Sequence, residues 1–547
     1  MQSSSFFDYG RASDYLAKYP LPPNFSPSYG TAGFRAEASL LPGVVFRCGI
    51  LTALRVMVTG KTCGLVITAS HNPVQDNGVK IVDYNGEVLD QGWEEHATVL
   101  ANATTLEDIV SFCARIRDLE GFTPLKSTSE VIVGYDSRPT SKELAQGAKD
   151  GIELMGIKVV EGSGPQTTPQ VHFRVWRRYH GHSYEEFQWF KYLAGGYMRM
   201  ARGTDSNHLG SLSVDCANGI GAPKMEHLAN HCPGAVPQGF SFDLRNCGEG
   251  TLNHLCGADF VQKDPGMPVG FENIEDGQRC ASLDGDADRI VFFTRENGKK
   301  VLIDGDKISA LAAIHVKELM KLNPKFDDAF TVGVVQTAYA NGASTRFIRE
   351  VLNMPVSFTP TGVKYLHAAA KRYDIGIYFE ANGHGTVLVK DEYITRFREL
   401  EDIEEGAFEF LALSETMNQA VGDGIATILM VEAILRRKKW SIKDWAKIYD
   451  DIPSIQSKVV VADRSVITTT DAERRCVTPA GLQDEIDKVV EKYELGRSFV
   501  RPSGTEDIVR VYAEAKTEAD VQSLAKDVER LVHKMAGGVG PSPCPMK

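Results

Sequence analysis

The sequence predicts an α/β protein with three related α/β domains and a smaller α+β domain at the C-terminus. Three observations carry this. First, the segments "EVIVGYDSRPTSKELAQGAKDGIELM", "SLSVDCANGIGAPKMEHLANH" and "FTVGVVQTAYANGASTRFIREVL" share one plan, in which an apolar strand runs into a small-polar turn and then a helical pattern. Either a repeat or the common grammar of α/β chains accounts for that likeness. Second, they begin at residues 130, 211 and 330, too far apart for consecutive units of one sheet. Third, "SKVVVADR" and "IVRVYAEAK" alternate apolar and polar residues, as half-buried strands do, and bracket the helical "LQDEIDKVVEKYE". With "ADVQSLAKDVERLVHKM" as a closing helix, they form a small α+β domain from about residue 451. A chain of 547 residues needs several hydrophobic cores in any case.

Bulk properties exclude some functions. The hydrophobic fraction is 43%, the charged fraction 24%, and the net charge −12 without a long Lys/Arg run. Nucleic acid and anionic membrane surfaces are therefore not expected partners, whereas a small anionic substrate is compatible. Ten cysteines without a CxxC pair argue against a zinc site and fit reduced thiols in the cytosol. The N-terminal "MQSSSFFDYGRASDYL" lacks the pattern of a signal peptide, and no stretch approaches 18 apolar residues. The tail "GGVGPSPCPMK" reads as a disordered end.

Along the chain, "YGTAGFR" places Arg35 after a flexible turn, within reach of a phosphate. "VITASHNPVQDNGVKIV" follows, with Ser70 in a strand-to-loop turn and Lys80 ten residues on. Pro73 and Asn72 suffice for a plain turn. A Ser70–His71 dyad is disfavoured, because a histidine adjacent in sequence seldom points at the serine oxygen. The aromatic and basic "VHFRVWRRYHGHSYEEFQWFKYL" (171–193) reads as a helix packed at a domain junction. In "ASLDGDADRIVFFT", strands flank Asp284, Asp286 and Asp288, three carboxylates that repel one another unless a cation sits among them. An EF-hand is excluded, since Arg289 and Arg295 stand where glycine and glutamate are required. Oxygen ligands on a short loop favour Mg²⁺.

"YFEANGHGTVLV" is again strand–loop–strand. Glu380, Asn382 and His384 alternate with small residues, Gly383 among them, and their side chains can share one space. A carboxylate and an amide suit the hydroxyls and acetamido group of a sugar, and His384 is an acid/base candidate. A helical stretch near 429–450 leads into the last domain. There, "FVRPSGTEDIVRVY" brings Arg501, Ser503, Gly504 and Thr505 into a turn, with Arg510 on the next strand. Converging amides, hydroxyls and a guanidinium fork make a phosphate cradle.

"TASHNP", "DGDADR" and "RPSGTED", in that order, closely resemble the α-D-phosphohexomutase superfamily, and the likeness runs the whole length. "FEANGHGT", with Asn382 where mutases of hexose and glucosamine phosphates usually carry serine, is similar to the branch acting on N-acetylglucosamine phosphates. "YGTAGFR" and "LNHLCGADFVQK" point the same way. The resemblance implies a heart-shaped, four-domain architecture with mixed sheets: 1–205 with a phosphoserine loop, 206–304 with a metal loop, 305–450 with a sugar loop, and a TATA-box-binding-protein-like domain, 451–547, with a phosphate loop. It implies an isomerase that interconverts N-acetylglucosamine 6-phosphate and 1-phosphate, towards UDP-N-acetylglucosamine, through phosphorylated Ser70 and a bisphosphorylated sugar.

One Mg²⁺ per chain would then be held by Ser70, Asp284, Asp286 and Asp288, with a hexose or N-acetylglucosamine 1,6-bisphosphate as activator. Arg289 and Arg35 would neutralise phosphoryl oxygens, and Lys80 and His384 would handle protons. As a base, Lys80 needs a pKa lowered from about 10.4 by burial or a nearby cation. Glu380, Asn382, Gly383 and His384 would bind the sugar, while Arg501, Ser503, Gly504, Thr505 and Arg510 would hold its distal phosphate. A small-molecule sugar phosphate is the expected partner, with a cytoplasmic monomer or homodimer as the expected form.

Three rivals remain. Another mutase of the superfamily would act on glucose, mannose or glucosamine phosphates. A Mg²⁺-dependent phosphatase using a DGDADR aspartate as nucleophile would leave Ser70 idle. A non-catalytic sugar-phosphate binder would have little reason to keep every catalytic position filled.

Overall fold

A computed structural model describes residues 9–30, 32–204, 209–232, 241–322, 330–504 and 506–542. The chain forms two compact units, Met1–Gly305 with Asn382–Lys443, and Asp306–Ala381 with Asp444–Lys547.

In the first unit, strands β1 (Phe34–Glu37), β2 (Cys63–Ile67), β3 (Asp76–Val82), β4 (Glu130–Tyr135) and β5 (Lys158–Glu161) form a sheet in the order β1-β3-β2-β4-β5. It is mixed: β2, β4 and β5 run parallel, while β3 is antiparallel to both β2 and β1. Every residue of β2 is buried, as expected of a central strand covered on both faces. The helix Pro42–Thr59 packs on helix Ser141–Leu154 and on this sheet. By length and composition it could cross a membrane, an exception to the sequence expectation, yet 78% of it is buried in this domain's core.

A second mixed sheet contains β6 (Ser211–Asp215), β7 (Ser241–Arg245), β8 (Cys280–Leu283), β9 (Ile290–Glu296) and β10 (Lys299–Ile303), in the order β10-β9-β8-β6-β7. The segment 171–193 falls into two helices, Thr168–Tyr179 and Glu186–Met200, instead of one. A Thr167/Gln170 capping box starts the first, which covers β2 and β4. The second packs on helices Glu405–Thr416 and Gly424–Lys438 of the same unit.

In the second unit, Val332–Thr337 pairs in parallel with Val356–Thr359 on one side and Ile375–Phe379 on the other. The C-terminal part sets Ile508–Glu514 between Ser454–Val460 and Arg497–Pro502, all antiparallel. Helices Leu482–Val490 and Glu518–Met535 share a core with Val500, Val509, Val511 and Ala513 from one sheet face.

Two expectations need correcting. The stretch 429–450 is not one helix: Gly424–Lys438 stops where Lys439 turns left-handed (φ 55), and Ile442–Ala446 is a separate short helix. The tail is not wholly free either. Ala462 and Val539 amides bond the carbonyls of Gly537 and Val460, pinning residues 537–539 to a strand end. The nine described cysteines are all free thiols; Cys544 lies outside the described residues.

Candidate active site

Ser70 follows β2, and its backbone is left-handed (φ 51), a conformation that disfavours a residue with a side chain by roughly 1–2 kcal/mol. Four elements hold it there. The Ser70 amide donates to Thr68 Oγ1 at 2.9 Å, while its carbonyl accepts from Arg138 Nη2 and Asn253 Nδ2, each at 2.9 Å. Arg138 also donates to the carbonyls of Asn72 (2.9 Å), Pro73 (2.7 Å) and Asp76 (3.1 Å), so one guanidinium spans the loop. Asp136 fixes that guanidinium from behind at 3.1 Å, with both side chains fully buried. Gly285 is required here, because a Cβ on it would lie 2.6 Å from the Ser70 carbonyl oxygen.

The Ser70 hydroxyl meets three charges. It donates to Asp286 Oδ2 at 3.0 Å, and accepts from Lys80 Nζ at 2.9 Å and Arg35 Nη2 at 3.2 Å. Lys80 reaches it from β3, where it pairs with Val66 in the register of the adjacent strand. Arg35 comes from β1 and also donates to Asn72 Oδ1 at 3.3 Å.

Asp284, Asp286 and Asp288 fill the turn between β8 and β9, all buried, with ligand oxygens within 4.8 Å of one another. Each has one oxygen bonded: Asp284 Oδ1 by the Arg289 amide (3.1 Å), Asp286 Oδ2 by Lys80 (3.0 Å) and Thr168 (2.6 Å), and Asp288 Oδ2 by Lys80 (2.9 Å). Each also leaves one buried oxygen without a hydrogen-bond donor among the described residues: Asp284 Oδ2, Asp286 Oδ1 and Asp288 Oδ1. Three such oxygens, all hard donors, fit a Mg²⁺ ion.

Electrostatics follow that arrangement. Burial, then repulsion from Asp288 and Asp286, holds the Asp284 carboxyl well above the usual range. Burial acts the same way on Asp286 and Asp288, but Lys80 acting with Thr168 at Asp286, and with His384 and Arg289 at Asp288, keeps both below that range. Burial opposes the Lys80 charge, yet Asp286 and Asp288 override it and raise its pKa. Two carboxylates face Lys80, so its pKa stands above the ordinary lysine value and not below it, as a basic Lys80 would require. Lys80 is a buried ammonium donor.

His384 joins the cluster from the loop before strand Gly385–Val389. Its Nδ1 donates to the Asp288 carbonyl at 2.9 Å and lies 3.7 Å from Asp288 Oδ1; its buried Nε2 has no hydrogen-bond partner among the described residues. Asn382 Oδ1 accepts from the His384 amide at 2.9 Å and shapes the turn. Gly383 (φ 83) packs so closely on β9 that a Cβ would collide with the Ile290 carbonyl. The Arg289 guanidinium lies 3.8 Å from Asp288 Oδ1. His71 does not contact the Ser70 hydroxyl through any hydrogen bond. Burial, with Arg289 and Arg35 nearby, pushes its pKa down to about 2 and leaves a neutral ring.

The remaining expected residues belong to the second unit. Glu380 directly follows strand Ile375–Phe379. Arg501 is the last residue but one of strand Arg497–Pro502 and stands opposite Arg510 in register. Its Nε donates to the Tyr339 hydroxyl at 3.0 Å. Ser503 is buried, and its amide bonds the Ile508 carbonyl at 2.9 Å, while Gly504 is exposed at the tip. Thr505 lies outside the described residues.

Sequence reasoning missed Arg138, Asp136, Asn253 and Thr168. "GYDSRPT" reads as an ordinary strand-to-helix turn, and nothing in it signals a reach to residues 70–76. Asn253 sits inside the characteristic "LNHLCGADFVQK", which was the available signal.

Comparisons with known proteins agree with this geometry. Residues 304–440 match the family described as "Phosphoacetylglucosamine mutase AMG1, domain III". Residues 442–531 match "Phosphoglucomutase/phosphomannomutase, C-terminal domain", and residues 49–108 and 90–182 match "Phosphoglucomutase/phosphomannomutase, alpha/beta/alpha domain I". The chain is 44% identical to phosphoacetylglucosamine mutase of Homo sapiens, covering 98% of this chain and 99% of that protein. It is 42% identical to the Arabidopsis thaliana protein of the same name, covering 95% and 97%. Among solved structures, Aspergillus fumigatus N-acetylphosphoglucosamine mutase in complex with GlcNAc-6P and magnesium is 39% identical, with a TM-score of 0.89 over 96% of this chain and 99% of that one. N-acetylglucosamine-phosphate mutase, a member of the α-D-phosphohexomutase superfamily, in its substrate complex, is 38% identical with a TM-score of 0.89, over the same 96% and 99%. This chain belongs to the phosphoacetylglucosamine mutase family of the α-D-phosphohexomutase superfamily.

Proposed function

We propose that this chain interconverts N-acetylglucosamine 6-phosphate and N-acetylglucosamine 1-phosphate, with Ser70 as the phosphoryl carrier. The observation that carries the reading is the Ser70 hydroxyl itself. It is strained, buried and bonded at once by Asp286, Lys80 and Arg35, beside three carboxylate oxygens with no donor among the described residues. A hydrolase serine would need a neutral base at hydrogen-bond distance, whereas a phosphate carrier needs cations around its oxygen.

Asp284, Asp286 and Asp288 would hold Mg²⁺ together with an oxygen of phosphorylated Ser70. Bound there, the ion supplies charge neutralisation and polarisation of the phosphoryl group. Lys80 donates to the Ser70 oxygen and stabilises charge as the Oγ–P bond breaks, and Arg35 and Arg289 neutralise phosphoryl oxygens. A sugar hydroxyl forms the new P–O bond and gives up its proton. His384 is the proton handler for that step, because its Nε2 has no hydrogen-bond partner among the described residues and its ring is fixed through Nδ1. The sugar bisphosphate then turns over and returns its other phosphoryl group to Ser70.

Glu380, Asn382 and Gly383 would recognise the sugar; Arg501, Ser503, Gly504, Thr505 and Arg510 would grip the phosphate that is not being transferred. The four expected domains, 1–205, 206–304, 305–450 and 451–547, are supported by the first two sheets and the C-terminal sheet, which each draw strands from one segment alone. The Aspergillus fumigatus relative was solved with GlcNAc-6P and magnesium and, as a variant, with glucose 1,6-bisphosphate, which supports Mg²⁺ and a bisphosphate activator.

The test is phosphopeptide mass spectrometry after incubation with glucose 1,6-bisphosphate and Mg²⁺, followed by a substrate panel. Phosphate on Ser70 and a preference for N-acetylglucosamine 6-phosphate over the glucose, mannose and glucosamine 6-phosphates are expected. A labile acyl phosphate on Asp284 would support the phosphatase instead.

A further inference from the structure

Between strands Thr468–Thr470 and Arg475–Thr478 the chain makes an unusual turn. Asp471, Ala472 and Glu473 are consecutively left-handed (φ 53, 56 and 67), although none is glycine. Such a run persists only where surrounding contacts fix it. Here Arg474 bonds Asp471 Oδ1 at 2.6 Å and stacks on the Phe358 ring at 4.1 Å. Glu473 Oε2 accepts from the Thr361 amide at 2.9 Å and from the Thr361 hydroxyl. These contacts aim the other oxygen, Oε1, at Arg501 Nη1, 3.6 Å away.

We propose that Glu473 is a built-in competitor for phosphate at Arg501, a residue that sets how tightly the distal phosphate is gripped and how readily it is released. The inference rests on Arg501 being the phosphate ligand. Two features favour competition over simple positioning. Arg501 is already oriented without Glu473, because its Nε donates to Tyr339 at 3.0 Å and its guanidinium lies over that ring, 5.4 Å from the centroid. A phosphate on the same fork also faces a carboxylate that Thr361 holds in place, and the two anions repel. A reaction whose bisphosphorylated sugar must let go and turn over gains from a grip weakened in this way. Glu473 thus acts through Arg501 and does not touch the reacting atoms.

The test uses the full chain with Ser70→Ala to prevent turnover, titrated calorimetrically with N-acetylglucosamine 6-phosphate. Glu473→Gln keeps an oxygen for Thr361 and removes only the charge, so binding should tighten about three- to tenfold. With Ser70 restored, KM and kcat should both fall, as tighter binding slows release. Arg501→Ala is the control and should weaken binding at least about tenfold. Unchanged or weaker binding by Glu473→Gln beside a weakened Arg501→Ala would overturn the competitor and leave the phosphate cradle standing. Unweakened binding by Arg501→Ala would overturn the cradle and the competitor with it.

Discussion

Ser70 and Arg501 each lie beside an acidic side chain, but the two pairs sit in different solvents. Asp286 is fully buried and Lys80 exposes 12% of its side chain, whereas Arg501 and Glu473 expose 18% and 19% and Arg510 faces water. At an effective dielectric of about 20, opposite charges at 4 Å attract about four times as strongly as in bulk water. The first region therefore suits charge development along a breaking P–O bond. The second suits an anion that must arrive and leave many times. One region is built to stabilise, the other to let go.

The sharpest way to break this contrast is Ser70→Ala. If the buried region performs the chemistry, turnover in a coupled assay falls at least about 10⁴-fold, as for other nucleophile deletions. Retention of more than a tenth of the activity would move the chemistry elsewhere.

Next comes Lys80→Met, which strands Asp286 and Asp288 without their cation. Breaking a buried pair costs about 3–5 kcal/mol, so the metal-free variant should unfold well below wild type in a thermal melt. Mg²⁺ should restore part of that loss and raise the variant's midpoint more than that of wild type. Equal Mg²⁺ shifts in both proteins would mean that Lys80 and the metal do not share the carboxylates. Arg138→Lys should follow, with kcat down about 10- to 100-fold and KM little changed, because ammonium cannot span four carbonyls. A change in KM alone would make Arg138 a binding residue instead of the support of the Ser70 loop.

The same contrast explains what the sequence made legible. Asp284, Asp286 and Asp288 are spaced by single residues on one hairpin, so strand–loop–strand patterning alone brings them together. Arg501, Ser503 and Gly504 are local for the same reason. Arg138 and Asn253 act on Ser70 from loops 68 and 183 residues away, and only the tertiary fold supplies those distances. Lys80 was legible as a partner but not in its charge state, which two aspartates more than 200 residues on decide. The helix 42–59 shows the same limit, because apolar composition does not say whether protein or lipid covers it.

Acid should find the buried side first. His172 is buried beneath the first sheet; its Nδ1 donates to the Gly86 carbonyl at 2.7 Å, and burial pushes its pKa down to about 3. A neutral ring stabilises the fold fully above the unfolded value of about 6.5 and loses that contribution as pH falls towards 3. Between pH 7 and pH 5 His172's share of the loss is about 2 kcal/mol, beside a similar share from buried His71, read from urea midpoints at the two values. His172→Gln keeps a donor for Gly86 and should make this acid limb shallower by His172's share; an equally steep decline in the variant would assign the limb to other groups.

Arg510→Ala should have the smallest effect, and its character matters more than its size. Arg510 stands opposite Arg501 on one side and Lys458 on the other, three cations in one row across the sheet. Each is repelled by its neighbours until an anion arrives, so removing one weakens attraction and also relieves repulsion. In water those contributions nearly cancel, leaving KM raised about three- to tenfold and kcat unchanged. Salt discriminates the two regions further. Raising ionic strength from about 0.01 to 0.15 M shortens the screening length from about 30 to 8 Å, so wild type should lose affinity and Arg510→Ala should lose less of it. The kcat of both proteins should stay flat across that range, because the charges around Ser70 are shielded from mobile ions. A kcat that falls with salt would show that the Ser70 cluster is open to solvent during turnover, and the division between a dry chemical site and a wet grip would fail.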